Sequence, residues 1–105
     1  MTNDHLADIK KYAKSPIDEA AVAYLEKTYK LVISKADARY VACSDPEERA
    51  RVRDSFLIKK LALPTEGLDD AIKLVCQTMK AEHNKSRLTF YYLLAEHFNK
   101  LGTLR

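Results

Sequence analysis

The spacing of apolar residues along the chain predicts a series of short amphipathic helices. Leu6, Ile9 and Ala13 recur at three- and four-residue intervals, which indicates a first helix that ends near Lys14. A second helix is expected from Pro16 to about Ile33, because apolar side chains there fall on one wide face. Its expected core face comprises Ile17, Ala20, Ala21, Tyr24, Leu25, Thr28, Leu31 and Val32.

Prolines and small polar residues mark where the helices are expected to begin. Ser15, directly before Pro16, is the expected N-cap of the second helix. Asp45 precedes Pro46 in the same way and is expected to cap a third helix that runs to about Leu61. Acidic residues follow each proline, where they complement the positive end of a helix dipole.

Residues 35–44, before the third helix, follow a less regular pattern. There Asp37 is expected to cap a short helical turn that carries residues 40–41 (Tyr40 and Val41) inward.

The fourth helix is expected after Pro64, with Thr65 as its cap and Glu82 near its end. The expected core face of the fourth helix comprises Leu68, Ala71, Ile72, Val75, Cys76 and Met79.

The last helix is apolar around most of its circumference. It is expected to start after Ser86 and to run to Leu101, with Gly102 as its stop. A helix of this kind is normally buried on all sides. Two explanations are open: it is the central helix of the domain, or a second chain covers one side of it in a homodimer.

These elements place the chain in the all-α class. Its 105 residues suit one domain, and two glycines and three prolines are too few for many tight hairpins. We expect a compact orthogonal bundle of five main helices plus one short helical turn, in a single domain over residues 1–105.

Charge and cysteine content limit the partners and the cellular location that are expected. The formal net charge of +3 is mild and the two signs are interspersed, so nucleic acid is not expected as the main partner. Cys43 and Cys76 are expected to be free, buried thiols, because no Cys-x-x-Cys pair is present. With neither a signal peptide nor an apolar run of ~20 residues, a cytoplasmic protein without membrane association is expected.

Catalytic and metal chemistries lack the residues that they need, so no enzyme activity, metal or cofactor is expected. His5, His83 and His97 are scattered and form no ligand pair of helical spacing. Cys76 and His83 share a helix face, yet two turns, or ~10 Å, separate them. Two isolated glycines cannot build a phosphate-binding or dinucleotide-binding loop.

Two clusters of basic residues are the candidate binding sites. Asn84, Lys85, Ser86 and Arg87 place two cations and a hydroxyl at a helix start, where free backbone amides favour a small anion or nucleotide. The basic row, formed by Arg49, Arg53 and Lys60, is expected along one side of the third helix, where it would bind an acidic partner, a phosphate or, weakly, nucleic acid. The simpler alternative for both is solvated charge.

Three segments resemble a family of short bacterial proteins known only as a domain of unknown function. They are Val41–Glu47, Val52–Leu61 and Met79–Glu96, and residues 2–14 match least well. The resemblance implies a bacterial, stand-alone helical protein and brings no activity with it. We therefore expect a non-enzymatic interaction protein that binds an unknown protein or itself, through the last helix and the basic row.

Overall fold

Helices form most of the regular structure in the computed structural model, which describes residues 7–14, 16–35, 39–81 and 85–104. In chain order the elements are α1 (7–10), α2 (Glu19–Thr28), α3 (Lys30–Ser34), β1 (Tyr40–Val41), α4 (Pro46–Arg51), a π-helical segment (Val52–Lys60), α5 (Leu68–Thr78), β2 (Lys85–Ser86), α6 (Arg87–His97) and a 3-10 turn (Leu101–Thr103). The all-α class is confirmed. None of the helices in these ranges combines the length and apolar character that a bilayer crossing demands.

A two-stranded antiparallel sheet stands where a short helical turn was expected. Tyr40 pairs with Ser86 and Val41 pairs with Lys85. The backbone N–H of Arg87 donates to the carbonyl of Arg39 at 2.7 Å and so extends the pairing by one bond. The helical turn was a wrong prediction because this pairing joins segments far apart in sequence; Asp37, its expected cap, lies outside the described residues.

The second predicted helix starts later than expected and is split in two. Asp18 caps α2 by accepting a hydrogen bond from the N–H of Ala21 at 3.1 Å, while Ser15 lies outside the described residues. Tyr29 then leaves helical geometry, with φ −107° and ψ 21°, before α3 begins. The break turns Leu31 away from the core, where it was wrongly expected, and leaves it 77% exposed.

The third predicted helix begins as expected and then changes its winding. The Asp45 carboxylate accepts from the N–H of Glu47 at 2.9 Å, which confirms the predicted cap. From Val52 onward the hydrogen bonds reach one residue further, and the N–H of Leu61 donates to the carbonyl of Phe56. The buried residues here are spaced by four or five positions, which matches the wider turns of a π-helix better than the 3.6 residues per turn of an α-helix. They are Val52, Phe56, Leu57 and, directly after the segment, Leu61.

The fourth predicted helix has the expected core face but a different start. Gly67, with φ 76°, is the N-cap of α5, so Thr65 is not the cap. Glycine adopts this left-handed conformation without the steric cost that a side chain brings. The helix ends at Thr78, earlier than predicted. The residues predicted to face the core do so, with Cys76 half-buried: Leu68, Ala71, Ile72, Val75, Cys76 and Met79.

The last helix is the centre of the domain. Nine consecutive residues of α6, from Arg87 to Ala95, are buried within the single chain. The cap at Ser86 is confirmed, since its hydroxyl accepts from the N–H of Thr89. The helix ends at His97 rather than Leu101, because Asn99 adopts a left-handed conformation (φ 59°) just beyond it. The N–H of Asn99 donates to the carbonyl of Glu96 and the N–H of Lys100 to that of Ala95, which is the Schellman pattern.

The two cysteines are joined, contrary to the expectation of free thiols. The sulfur atoms of Cys43 and Cys76 form a disulfide that links the residues before α4 to α5 across 33 positions of sequence. Disulfides persist mainly in oxidising surroundings, so this bond does not support the expected cytoplasmic location. Spacing along the sequence could not reveal it, because the two cysteines are brought together by tertiary packing.

Reduction of this disulfide is expected to destabilise the fold. A cross-link that closes a loop of this length restricts the unfolded chain, which corresponds to about 3–4 kcal/mol. Urea unfolding with and without a phosphine reductant measures the difference. The Cys43→Ser/Cys76→Ser double variant is the control, since its midpoint must not respond to the reductant. Equal midpoints for the oxidised and reduced wild-type protein would contradict the prediction.

Candidate functional site

Arg87, expected to face an anion in solvent, points into the protein. Its Nη2 atom lies 2.7 Å from Oε1 of Glu48, and its Nη1 atom donates to the hydroxyl of Tyr91 at 3.0 Å. The side chains of Arg87 and Glu48 are each only 9% exposed. Burial alone would lower the pKa of Arg87, but Tyr91 and Glu48 raise it above the ordinary arginine value. The guanidinium is therefore part of the interior.

Of the remaining residues of the expected anion site, two have structural roles. Lys85 and Ser86 form β2, and the Ser86 hydroxyl caps α6. Asn84 lies outside the described residues. The positive charge that made this helix start attractive for an anion is thus directed toward Glu48, on α4.

Three aromatic rings pack beside the buried ion pair. The rings of Phe56 and Tyr91 stack with centroids 4.1 Å apart, and Tyr29 meets both edge-on. Burial raises the pKa of the Tyr29 hydroxyl well above its ordinary value, and the charge that Tyr91 would carry when ionised raises it further. These contacts hold the junction between α2 and α3, the π-helical segment and α6 together.

The three members of the expected basic row do not act as one surface. The Nη1 atom of Arg49 donates to the carbonyl of Cys43 at 2.8 Å, and Arg53 forms ion pairs with Asp54 and Asp69. The carboxylate of Asp54, and secondarily that of Asp69, raises the pKa of Arg53. Lys60 lies at the far end of the π-helical segment with its Nζ atom 4.7 Å from the centre of the Tyr24 ring.

The change from α to π winding explains why the row is broken. The alignment of Lys60 with Arg49 and Arg53 assumed 3.6 residues per turn throughout. Wider turns after Val52 rotate the later positions relative to α4. Hydrogen bonding to Lys60 lowers the pKa of Tyr24, so this lysine interacts with α2 instead.

Arg49 and Arg53 do line a common concave surface, which we call the basic pocket. It has a volume of about 230 Å³ and lies between α4 with the following turn and the first half of α5. Its lining residues are Pro46, Arg49, Ala50, Arg53, Asp69, Ile72 and Lys73. Lys73 and Asp69, on α5, line the same surface as the two arginines.

A larger concavity, the α5–α6 cleft, has a volume of about 310 Å³. It lies between the residues after α1 and the second halves of α5 and α6. Its lining residues are Tyr12, Lys14, Leu74, Val75, Thr78, Leu93, Glu96 and His97. The volume falls at the lower end of the range typical of ligand pockets, roughly 300–1,000 Å³.

Two polar side chains of the cleft, Glu96 and Thr78, take part in hydrogen bonds within the fold. The Glu96 carboxylate accepts from the backbone N–H of Lys14 at 3.1 Å, and the Thr78 hydroxyl donates to the carbonyl of Leu74 at 2.9 Å. The His97 ring meets that of Phe98 edge-on. Within the described ranges, no group of three or more histidine, cysteine, aspartate or glutamate residues could hold a metal ion.

One residue of this cleft, Leu74, departs from the apolar periodicity of α5 and was an indication of the cleft in the sequence. Leu74 lies on the polar side of α5, between Lys73 and Val75, and is 42% exposed. An isolated exposed leucine is ordinary on a protein surface, so its position gained meaning only when the other walls were known. His97, expected to be a scattered histidine, lies at the rim of the same cleft.

The comparisons with known proteins agree with the resemblance of the sequence. One family model matches residues 4–102, and its description is "Protein of unknown function (DUF2853)". The match includes most of the amino-terminal region, which was the part with the weakest expected likeness. A search of curated proteins found no match.

Loss of the Glu48 carboxylate is expected to destabilise the protein strongly. Glu48→Ala leaves the buried Arg87 charge uncompensated, which typically costs about 3–5 kcal/mol. Glu47→Ala is the matched control, because this exposed glutamate belongs to the same first turn and contributes about 1 kcal/mol or less through the helix dipole. Urea unfolding measures both. Similar losses in the two variants would show that the pair carries little weight.

Alkaline pH is expected to weaken the fold through Tyr29. Because the folded-state pKa is raised, the unfolded chain loses this proton first, so stability is complete below pH ~10 and falls as pH rises through the folded-state pKa. Tyr29→Phe should reduce the fall in unfolding free energy between about pH 9 and 11. The exposed Tyr40→Phe variant should behave as wild type. Identical pH dependence in all three proteins would contradict this expectation.

Proposed function

We propose a role from the geometry of the structure, because the chain belongs to the DUF2853 family of proteins of unknown function. In this proposal the chain is a non-enzymatic domain that binds a partner protein through the α5–α6 cleft. The observation that carries the proposal is Leu74, an apolar residue that lines the cleft and remains 42% exposed. The partner would insert an apolar side chain beside it.

The composition of the cleft supports an anchoring role. Leu74, Val75 and Leu93 supply apolar surface, whereas Lys14 and Glu96 supply charge. Protein interfaces have this arrangement, in which an apolar core is surrounded by a polar, solvent-accessible rim. A volume of about 310 Å³ admits an anchoring side chain rather than a whole folded element.

The hydrogen bonds of Thr78 and Glu96 favour binding over catalysis by these two side chains. A general base or nucleophile must be within reach of a reacting group. In the cleft the Thr78 hydroxyl donates to the Leu74 carbonyl, and the Glu96 carboxylate accepts from the Lys14 N–H. These bonds keep the walls of the cleft in place, which reduces the ordering cost when a partner binds.

The proposed interaction surface differs from the expected one. The last helix was expected to supply it, yet its residues from Arg87 to Ala95 are covered by the chain itself. Three residues in the second half of α6 line the cleft: Leu93, Glu96 and His97. A second copy of the chain would still qualify as the partner, provided that it inserts a side chain at Leu74.

Replacing Leu74 with a polar residue is expected to weaken partner binding about tenfold or more, the usual effect of losing an anchoring contact. The measurement has two stages: proteins are purified from extract of the native cell on the immobilised domain, and each is then titrated calorimetrically with wild type and Leu74→Gln. Light scattering after size exclusion tests whether the partner is a second copy.

Leu31→Gln is the matched control, because Leu31 is 77% exposed and does not line the cleft. It should bind the partner as wild type does. A partner that binds Leu74→Gln with undiminished affinity would overturn the proposal. So would a small apolar molecule retained in the cleft by wild type in native mass spectrometry, since that would assign the cleft to a ligand.

A further inference from the structure

We propose that the basic pocket is a second binding site, which takes a small phosphate-bearing ligand. Arg49, Arg53 and Lys73 converge on one concavity of about 230 Å³, with Asp69 as the carboxylate among its lining residues. Arginine presents several N–H donors in a planar fork that matches phosphate oxygens, and lysine adds a point charge. This site is separate from the α5–α6 cleft and does not depend on its proposed role.

The charges of the pocket are not balanced internally. Among the described residues, neither Arg49 nor Lys73 takes part in an ion pair. Arg53 pairs with Asp54 at 2.9 Å and more loosely with Asp69, at 3.3 and 3.4 Å. With Asp54 included, three cations meet two carboxylates, and a bound anion would balance the remaining positive charge.

Arg49 is held in place before any ligand arrives. It is half-buried, and its Nη1 atom donates to the carbonyl of Cys43 at 2.8 Å. Cys43 is in turn bonded to Cys76, on the same helix as Asp69 and Lys73. The disulfide thus ties the two walls of the pocket together, and a preorganised guanidinium binds an anion with less loss of side-chain entropy.

The dimensions favour a compact ligand over a nucleic-acid strand. The pocket exceeds the ~30 Å³ that one water molecule occupies in the liquid, yet it is smaller than a pocket for a drug-sized molecule. A polynucleotide requires cations that follow its backbone, and Lys60 does not extend the pocket in that way. A phosphomonoester group or free phosphate has the size and charge that the pocket offers.

The test is an NMR titration with inorganic phosphate at constant ionic strength, under non-reducing conditions that keep the disulfide. Backbone amide signals of Ala50 and Lys73 should shift and saturate. Arg49→Gln should weaken the affinity about tenfold or more, the range for hydrogen bonds to charged groups. Asp69→Asn should strengthen it several-fold, because a repelling carboxylate is removed.

Lys27→Gln is the control for net charge, since this exposed lysine lies on α2 outside the pocket, and it should bind phosphate as wild type does. The opposite signs expected at residues 49 and 69 separate the proposal from simple loss of fold, because a destabilised variant cannot gain affinity. Three results would each overturn it: no saturable shift in wild type, equal weakening by Lys27→Gln and Arg49→Gln, or tighter binding of a single-stranded oligonucleotide that requires Lys60.

Discussion

The ion pair between Glu48 and Arg87 is the interaction on which the arrangement of the other elements depends. Both charges are almost fully buried, and such burial is favourable only when the partners and their remaining hydrogen-bonding atoms are well placed. Here the second oxygen of Glu48 accepts from Arg51 at 3.0 Å, while Arg87 also donates to Tyr91. The pair can form only when α4 and α6 occupy their observed positions, so it selects one packing among many apolar alternatives.

Other polar contacts fix the position of α6 in the same way. This helix is apolar nearly all round, so it could slide or rotate without much change in the buried apolar area. Polar atoms at successive positions prevent this. The Thr89 hydroxyl donates to the carboxylate of Asp8, and the Tyr92 hydroxyl accepts from the N–H of Asp18 at 2.9 Å. Each bond ties the helix to a different segment, and an unpaired buried partner would cost about 1–3 kcal/mol.

Local features were predictable from the sequence, whereas pairings between distant residues were not. The cap at Asp45 and the core face of α5 depend on residues within a few positions, so spacing and residue type identified them. The Glu48–Arg87 pair joins residues 39 positions apart, and the disulfide joins residues 33 apart. Glu48 carried the local features of a helix-start acid, which concealed its role as a buried partner. Leu74 likewise could be recognised as part of a cleft only once the residues after α1 and on α6 that line it were known.

Both concave surfaces share α5 as a wall, and this helix is fixed more firmly than its length suggests. Its core face packs beneath α6, and Cys76 is bonded to the residues before α4. Asp69 and Lys73 face the basic pocket from its first half, while Leu74 and Thr78 face the cleft from its second half. Since binding is favoured when the walls of a site need no ordering, a helix held on its inner side and presented at two outer edges is suited to carry two separate sites.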